Sequence, residues 1–175
     1  IEIRVAFDEE MPAVPSMEIQ VVFEDPWLLV VNKPSGIPTQ GTWASDRHDL
    51  LALIKTQRPD LKLFLHHRLD QGTSGLLIFS KDTSINAELT RKFTEHVVRK
   101  TYLARVSKPF NACTVDRPIG RLRNAVPGRF GVEGDLMEPK NAITVFRPAT
   151  GEETNGLPEG HWIIAEPRTG RTHQI

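Results

Sequence analysis

The apolar positions of this chain fall into short runs, and most of them have the length and composition of strands. Residues 19–23 and 27–31 are β-branched or aromatic runs separated by Glu24-Asp25-Pro26, a hairpin-like break. Asn32-Lys33-Pro34-Ser35-Gly36 ends the second run, because Pro34 has no N–H for a ladder and Gly36 permits a turn. Residues 76–80, 101–106, 143–146 and 162–165 read as further strands.

Two segments carry helical signals instead. Asp46 is placed to cap a short helix running to about Gln57, with Leu50, Leu51, Leu53 and Ile54 on its apolar side and Arg58-Pro59 closing it. After Lys81, Asp82 or Thr83 opens the clearest helix, in which Ile85, Leu89, Phe93 and Val97 recur every four residues as one buried stripe. Residues 117–139 are rich in Arg, Gly and Pro without a period, which predicts a loop or irregular excursion. Residues 1–18 are acidic and carry Pro12 and Pro15, so they read as a lead-in or linker. No internal repeat or second-domain boundary is visible. The pattern predicts a strand-dominated α+β fold: a single domain over 19–175, built on a mixed, mostly antiparallel sheet with a few flanking helices.

Composition narrows this picture only slightly. A length of 175 residues allows one domain with a substantial core, and 39% hydrophobic with 25% charged residues is ordinary globular usage. There is no run of eighteen apolar residues, so no helical membrane span and no membrane partner are expected. One cysteine, Cys113, excludes a disulfide within the chain and fits a reducing cytoplasm. It lacks metal-ligand spacing and reads as a small, semi-buried residue. The chain opens on Ile1 and closes on Arg171-Thr172-His173-Gln174-Ile175, which looks like the start of a structured element. A fragment of a longer chain is therefore expected, lacking a C-terminal portion.

The net charge of zero hides an asymmetry. Residues 1–30 hold one arginine against seven carboxylates, a balance of −6, whereas residues 86–130 hold ten Arg and Lys against three carboxylates, a balance of +7. A local excess of that size can hold a phosphate backbone, although a solvated surface explains it equally well.

The chemistry is concentrated in residues 66–81, HHRLDQGTSGLLIFSK, a polar cluster running into a Gly/Ser turn and then a buried strand. Polar groups on a loop just before a rigid strand are held where they can act. Taken alone, Arg68 and Asp70 read as a structural ion pair. Gly72-Thr73-Ser74-Gly75 has neither the lysine nor the spacing of a phosphate-binding P-loop and reads as a turn.

The segment nevertheless resembles the motif H-R-L-D-x-x-T-S-G-L-L of the RluA-type branch of the pseudouridine synthases, at every fixed position. Three more pieces match in order: VVFEDPWLLVVNKPSG at 21–36, RKTYLARV at 99–106 and GRTHQI at 170–175. The resemblance runs from about residue 19 to 175. It implies the family's α+β catalytic fold, isomerisation of uridine to pseudouridine in structured RNA (ribosomal RNA ahead of transfer RNA) and a monomer with no obligatory protein partner.

That reaction breaks the bond from ribose to the base nitrogen, turns the base and rejoins it through carbon. It needs no redox change, added group or metal, so no cofactor and no metal are expected. A carboxylate suits it, as nucleophile, as base toward the sugar, or as a stabiliser of positive charge at the anomeric carbon. By resemblance Asp70 is that carboxylate, Tyr102 stacks on the target base, and Arg171 is the counter-ion that keeps Asp70 ionised. Arg68, His67 and Thr73 are placed as supporting or RNA-binding residues, Ile175 as an apolar wall under the base, and Arg117, Arg121 and Arg123 as the RNA face. His48, His96 and His161 show no ligand spacing, and His173 has a structural role in the final motif. Two other readings remain at this point: an RNA-binding module without catalysis, and a glycoside or nucleoside hydrolase, for which a second acid is missing.

Overall fold

The computed structural model describes residues 17–41, 49–123 and 129–175. The acidic lead-in up to residue 16 and the Asp46 cap lie outside them. The described residues divide into two compact units, one ending at Val97 and the other beginning at Val98.

The first unit holds a four-stranded antiparallel sheet of β1 (Gln20–Glu24), β2 (Leu28–Lys33), β3 (Phe64–Leu65) and β4 (Gly75–Ser80), in the order β1-β2-β4-β3. The β1–β2 turn is closed by Asp25, whose carboxylate accepts from Trp27 N at 2.8 Å and Leu28 N at 2.6 Å. On β2 the side chains alternate, so Leu29, Val31 and Lys33 share the buried face. Leu29 lies opposite Phe79 and Val31 opposite Leu77, and this is the centre of the unit's core. Each such side chain contributes about 1.5–3 kcal/mol by leaving water. Lys33 continues that apolar row, opposite Gly75.

Helix α1 (Leu50–Gln57) begins at Asp49, which accepts from Ala52 N at 2.9 Å, and buries Leu50, Leu53 and Ile54. The element expected from the apolar pattern is present, and its cap is Asp49. After β4, Asp82 caps a 3-10 turn at Thr83–Ile85 that leads into α2 (Asn86–Thr94). The expected four-residue stripe is only partly buried: Ile85, Leu89 and Phe93 are half-buried, and Val97 lies beyond the helix end and is exposed. The helix stops at Glu95, whose N–H bonds Arg91 O, and His96 then takes a positive φ that ends the repeat.

The second unit contains a four-stranded antiparallel sheet of β5 (Tyr102–Val106), β6 (Cys113–Asp116), β10 (Ile143–Pro148) and β11 (His161–Pro167), in the order β5-β11-β10-β6. Ile163, Ile164 and Ala165 of β11 are its core. Residues 117–139, expected as a loop, form most of a further sheet instead, of β7 (Ile119–Leu122), β8 (Phe130–Gly131) and β9 (Leu136–Lys140). The pattern hid it because the strands are short, mostly exposed, and broken by Pro139 and two glycines that pack closely. A side chain at Gly120 would meet Met137 O at 2.9 Å. Every strand pairing described is antiparallel, and the strands are spread over three sheets. Cys113, read as semi-buried, is exposed.

Candidate active site

Asp70 sits half-buried on the loop between β3 and β4, and residues 33–39 brace that loop on both sides of it. Thr39, itself buried, donates its hydroxyl to Leu69 O at 2.7 Å and accepts from Leu69 N at 3.1 Å. Beyond Asp70, Gly36 N donates to Gln71 O at 2.8 Å, Gln71 Nε2 returns a bond to Gly36 O at 2.9 Å, and Ser35 Oγ donates to Gly72 O at 2.9 Å. Thr73 N closes the turn on Asp70 O at 3.0 Å. The neighbours of Asp70 are thus fixed through their backbone groups, so its backbone cannot drift without breaking several bonds.

Lys33 is the hub of this brace. Its fully buried ammonium donates to Ile37 O at 2.7 Å, Pro34 O at 2.9 Å and Gln71 O at 3.2 Å. Burial pulls its pKa from 10.5 down to about 8, while the negative charge of Asp70 works in the opposite direction.

His67 has a structural place. Its ring stacks on Phe93 at 4.4 Å and its Nε2 accepts from Ile78 N at 3.0 Å, tying the loop to β4 and α2. His66 joins Thr90 Oγ1 at 2.9 Å and Ser80 Oγ at 2.7 Å, and Ser80 Oγ in turn donates to Asn86 Oδ1. Since the serine proton is used on Asn86, His66 donates through Nε2. Burial lowers its pKa. Arg68 is exposed, and Thr73 is part of the turn.

In the second unit, Tyr102 opens β5 opposite Ala165 and is half-buried. The final motif is knitted together by Gln174. Its Oε1 accepts from Arg171 N at 2.9 Å and Thr169 Oγ1 at 2.9 Å, and its Nε2 donates to Ile143 O and Thr144 Oγ1, both at 3.0 Å. Arg171 is half-buried and donates through Nε to Asn141 O at 2.8 Å. His173 has a positive φ and meets the Phe130 ring edge-on at 5.5 Å. Ile175 is exposed.

The three arginines expected on the RNA face divide. Arg117 pairs with Glu133 at 2.6 Å and Arg123 with Asp135 at 3.0 Å. Arg121 lies over the Phe130 ring, 5.9 Å from its centroid. Among the described residues no group of His, Cys, Asp or Glu is placed to hold a metal ion, and no helix is long and apolar enough to cross a membrane.

Sequence reasoning missed Lys33, Thr39, Gln71 and Gln174. The signal for Lys33 was present: strand alternation puts it on the same face as Leu29 and Val31. Thr39 and Gln174 carried no such signal, because Thr39 meets backbone groups 30 residues away and Gln174 reaches Ile143 O 31 residues away.

A half-buried carboxylate on a loop whose neighbours are fixed from both sides is held in one position. This fold and this motif set define an RNA-modifying class, and the chain belongs to the RNA pseudouridylate synthase family, which it matches over residues 27–175. It is 30% identical over 167 residues to tRNA pseudouridine synthase C of Salmonella typhi, covering 90% of this chain and 63% of that protein. It is 33% identical over 187 residues to ribosomal large subunit pseudouridine synthase C of Pasteurella multocida, covering 99% of this chain and 53% of that one. Among solved structures it superimposes on human RNA pseudouridylate synthase domain containing 1 with a TM-score of 0.70 at 26% identity, over 94% of this chain and 64% of that chain. The chain therefore spans between about half and two thirds of the length of these relatives.

Proposed function

We propose that the protein converts a uridine of structured RNA to pseudouridine, with Asp70 as the reacting carboxylate and no cofactor. The observation that carries this reading is the bracing of Asp70 by residues 33–39, within the motif the family shares. The Asp70 carboxylate supplies the electron pair that lets the ribose C1′–N1 bond break, by attack on C1′ or by removal of the C2′ proton. The base then turns and C5 bonds to C1′ as Asp70 leaves C1′ or returns the proton to C2′; the C5 proton leaves and N1 takes up a proton, so the product is an isomer. Tyr102 is proposed as the platform for the turned base and Arg171 as the counter-ion of the carboxylate. The same proposal places the protein in the cytoplasm as a monomer.

Ribosomal RNA is the first substrate proposed and transfer RNA the second, and the relatives' names include both. The test is tritium release from RNA labelled at uridine C5, using the full-length protein and its Asp70→Ala and Asp70→Asn variants. We expect release by the wild type and a loss of more than about a thousandfold in both variants, with RNA binding kept. No release by the folded wild type, or an Asp70→Ala rate equal to it, would sink the reading. Free uracil as product would revive the hydrolase. Pseudouridine mapping in RNA from cells with and without the gene then identifies the substrate.

A further inference from the structure

The unexpected sheet at 119–140 carries a concavity, and of the residues that line it only Arg171 and Arg121 have been given a role above. It measures about 210 Å³, and its walls include Arg121, Phe130, Met137, Glu138, Lys140 and Arg171. That is below the roughly 300 Å³ at which pockets for drug-sized ligands begin, so it has room for one planar group.

We propose that this concavity binds one unstacked nucleotide flanking the target uridine, with its base against Phe130 and Arg121 and its phosphate at Lys140. This rests on the RNA-modifying function proposed above. A cation over an aromatic ring is the combination on which single-stranded bases stack, and here Arg121 is 5.9 Å from the centre of Phe130. The arginines that flank β7 are spent on carboxylates, Arg117 on Glu133 and Arg123 on Asp135. Arg121 is instead directed to a ring that lines the cavity. The edge-on contact of Phe130 with His173 holds the ring in place from the side of the final motif. Glu138, on the same wall, accepts from a base amino or imino group, and its negative charge confines the phosphate to the Lys140 side.

The experiment uses the full-length protein and a substrate RNA bearing an abasic site at each of the positions flanking the modified uridine in turn. At one such position we expect wild-type binding to weaken by about tenfold, the value of one base–aromatic stack. Phe130→Leu, which keeps the apolar packing and removes the aromatic face, weakens intact RNA to the same extent and is indifferent to that abasic site. KM rises in parallel, while the single-turnover rate at saturating RNA is retained within about twofold. Arg121→Ala and Lys140→Ala each raise KM, and Lys140→Ala lowers the salt slope. Two results overturn the proposal: Phe130→Leu binding intact RNA as tightly as wild type, or its loss adding to the abasic loss at every position. Because the coupling is read in binding, it is decided separately from the activity: a wild type that forms no pseudouridine defeats the functional reading alone.

Discussion

Thr39 holds Leu69 from both directions, donating to its carbonyl at 2.7 Å and accepting from its N–H at 3.1 Å. The residue next along the chain from Leu69 is Asp70, so one buried hydroxyl sets where the carboxylate proposed to react begins.

Thr39→Val keeps the shape of that side chain and removes both bonds, leaving two buried backbone groups unsatisfied. We expect a loss of about 2–3 kcal/mol in stability and a fall in kcat larger than any rise in KM. Thr39→Ser, which restores the hydroxyl, should recover most of both. Urea titrations and steady-state kinetics of the two variants check this, and a Val variant with normal kcat would show that the clamp does not govern Asp70.

Lys33 gives a pH dependence of definite sign. Its pKa falls from 10.5 to about 8 on folding, so between those values the unfolded chain binds more protons and stability rises with pH. The penalty for burying the charge is complete below about pH 8 and fades as pH rises from there toward 10.5. Its size is on the order of 3 kcal/mol, and the three carbonyl acceptors offset it. Lys33→Met should lack this alkaline rise while losing activity, because Gln71 O and the 34–37 segment lose their common donor. Unfolding free energies of both proteins from pH 7 to 10.5 test the sign.

Glu24 produces the opposite limb. Hydrogen bonds from Arg58 and Lys81 hold its carboxyl at about 2 against an ordinary 4.5. The stabilisation is present above pH 4.5 and is lost as pH falls through about 2. The cluster joins the end of β1, the end of α1 and Lys81, but it is partly solvated, so Glu24→Gln should cost only about 1 kcal/mol at pH 7. It should also flatten the acid limb of the stability curve, as acid titration of both proteins would show.

Gln174 separates donating from accepting. Gln174→Ala removes four hydrogen bonds and should destabilise the final motif by roughly 2–4 kcal/mol. Gln174→Glu keeps the acceptor for Arg171 N and Thr169 Oγ1 but cannot donate to Ile143 O. Its loss should be intermediate. Equal Tm values for the two variants would mean that the accepting side contributes nothing, and a Glu variant equal to wild type would mean the same of the donating side.

Much of the architecture was legible because it depends on neighbours in sequence. Alternation on β2 and β4 and the Asp25 turn follow from two to six residues at a time, and the expected strand positions match the structure to within a residue or two. The 119–140 sheet was not legible, since its strands are paired through backbone groups and close-packed glycines rather than through an apolar pattern.

The same division holds at the candidate site. The sequence by itself determined the family, through motifs whose residue types and order are read along the chain, and it is the source of the roles proposed for Asp70, Tyr102 and Arg171. Only the tertiary structure decided what holds the neighbours of Asp70 in place: a buried lysine that reaches Gln71 O 38 residues away and a buried threonine that reaches the carbonyl and amide of Leu69 30 residues away. Backbone acceptors look alike in every sequence, so which of them a side chain will meet is fixed only when the chain has folded.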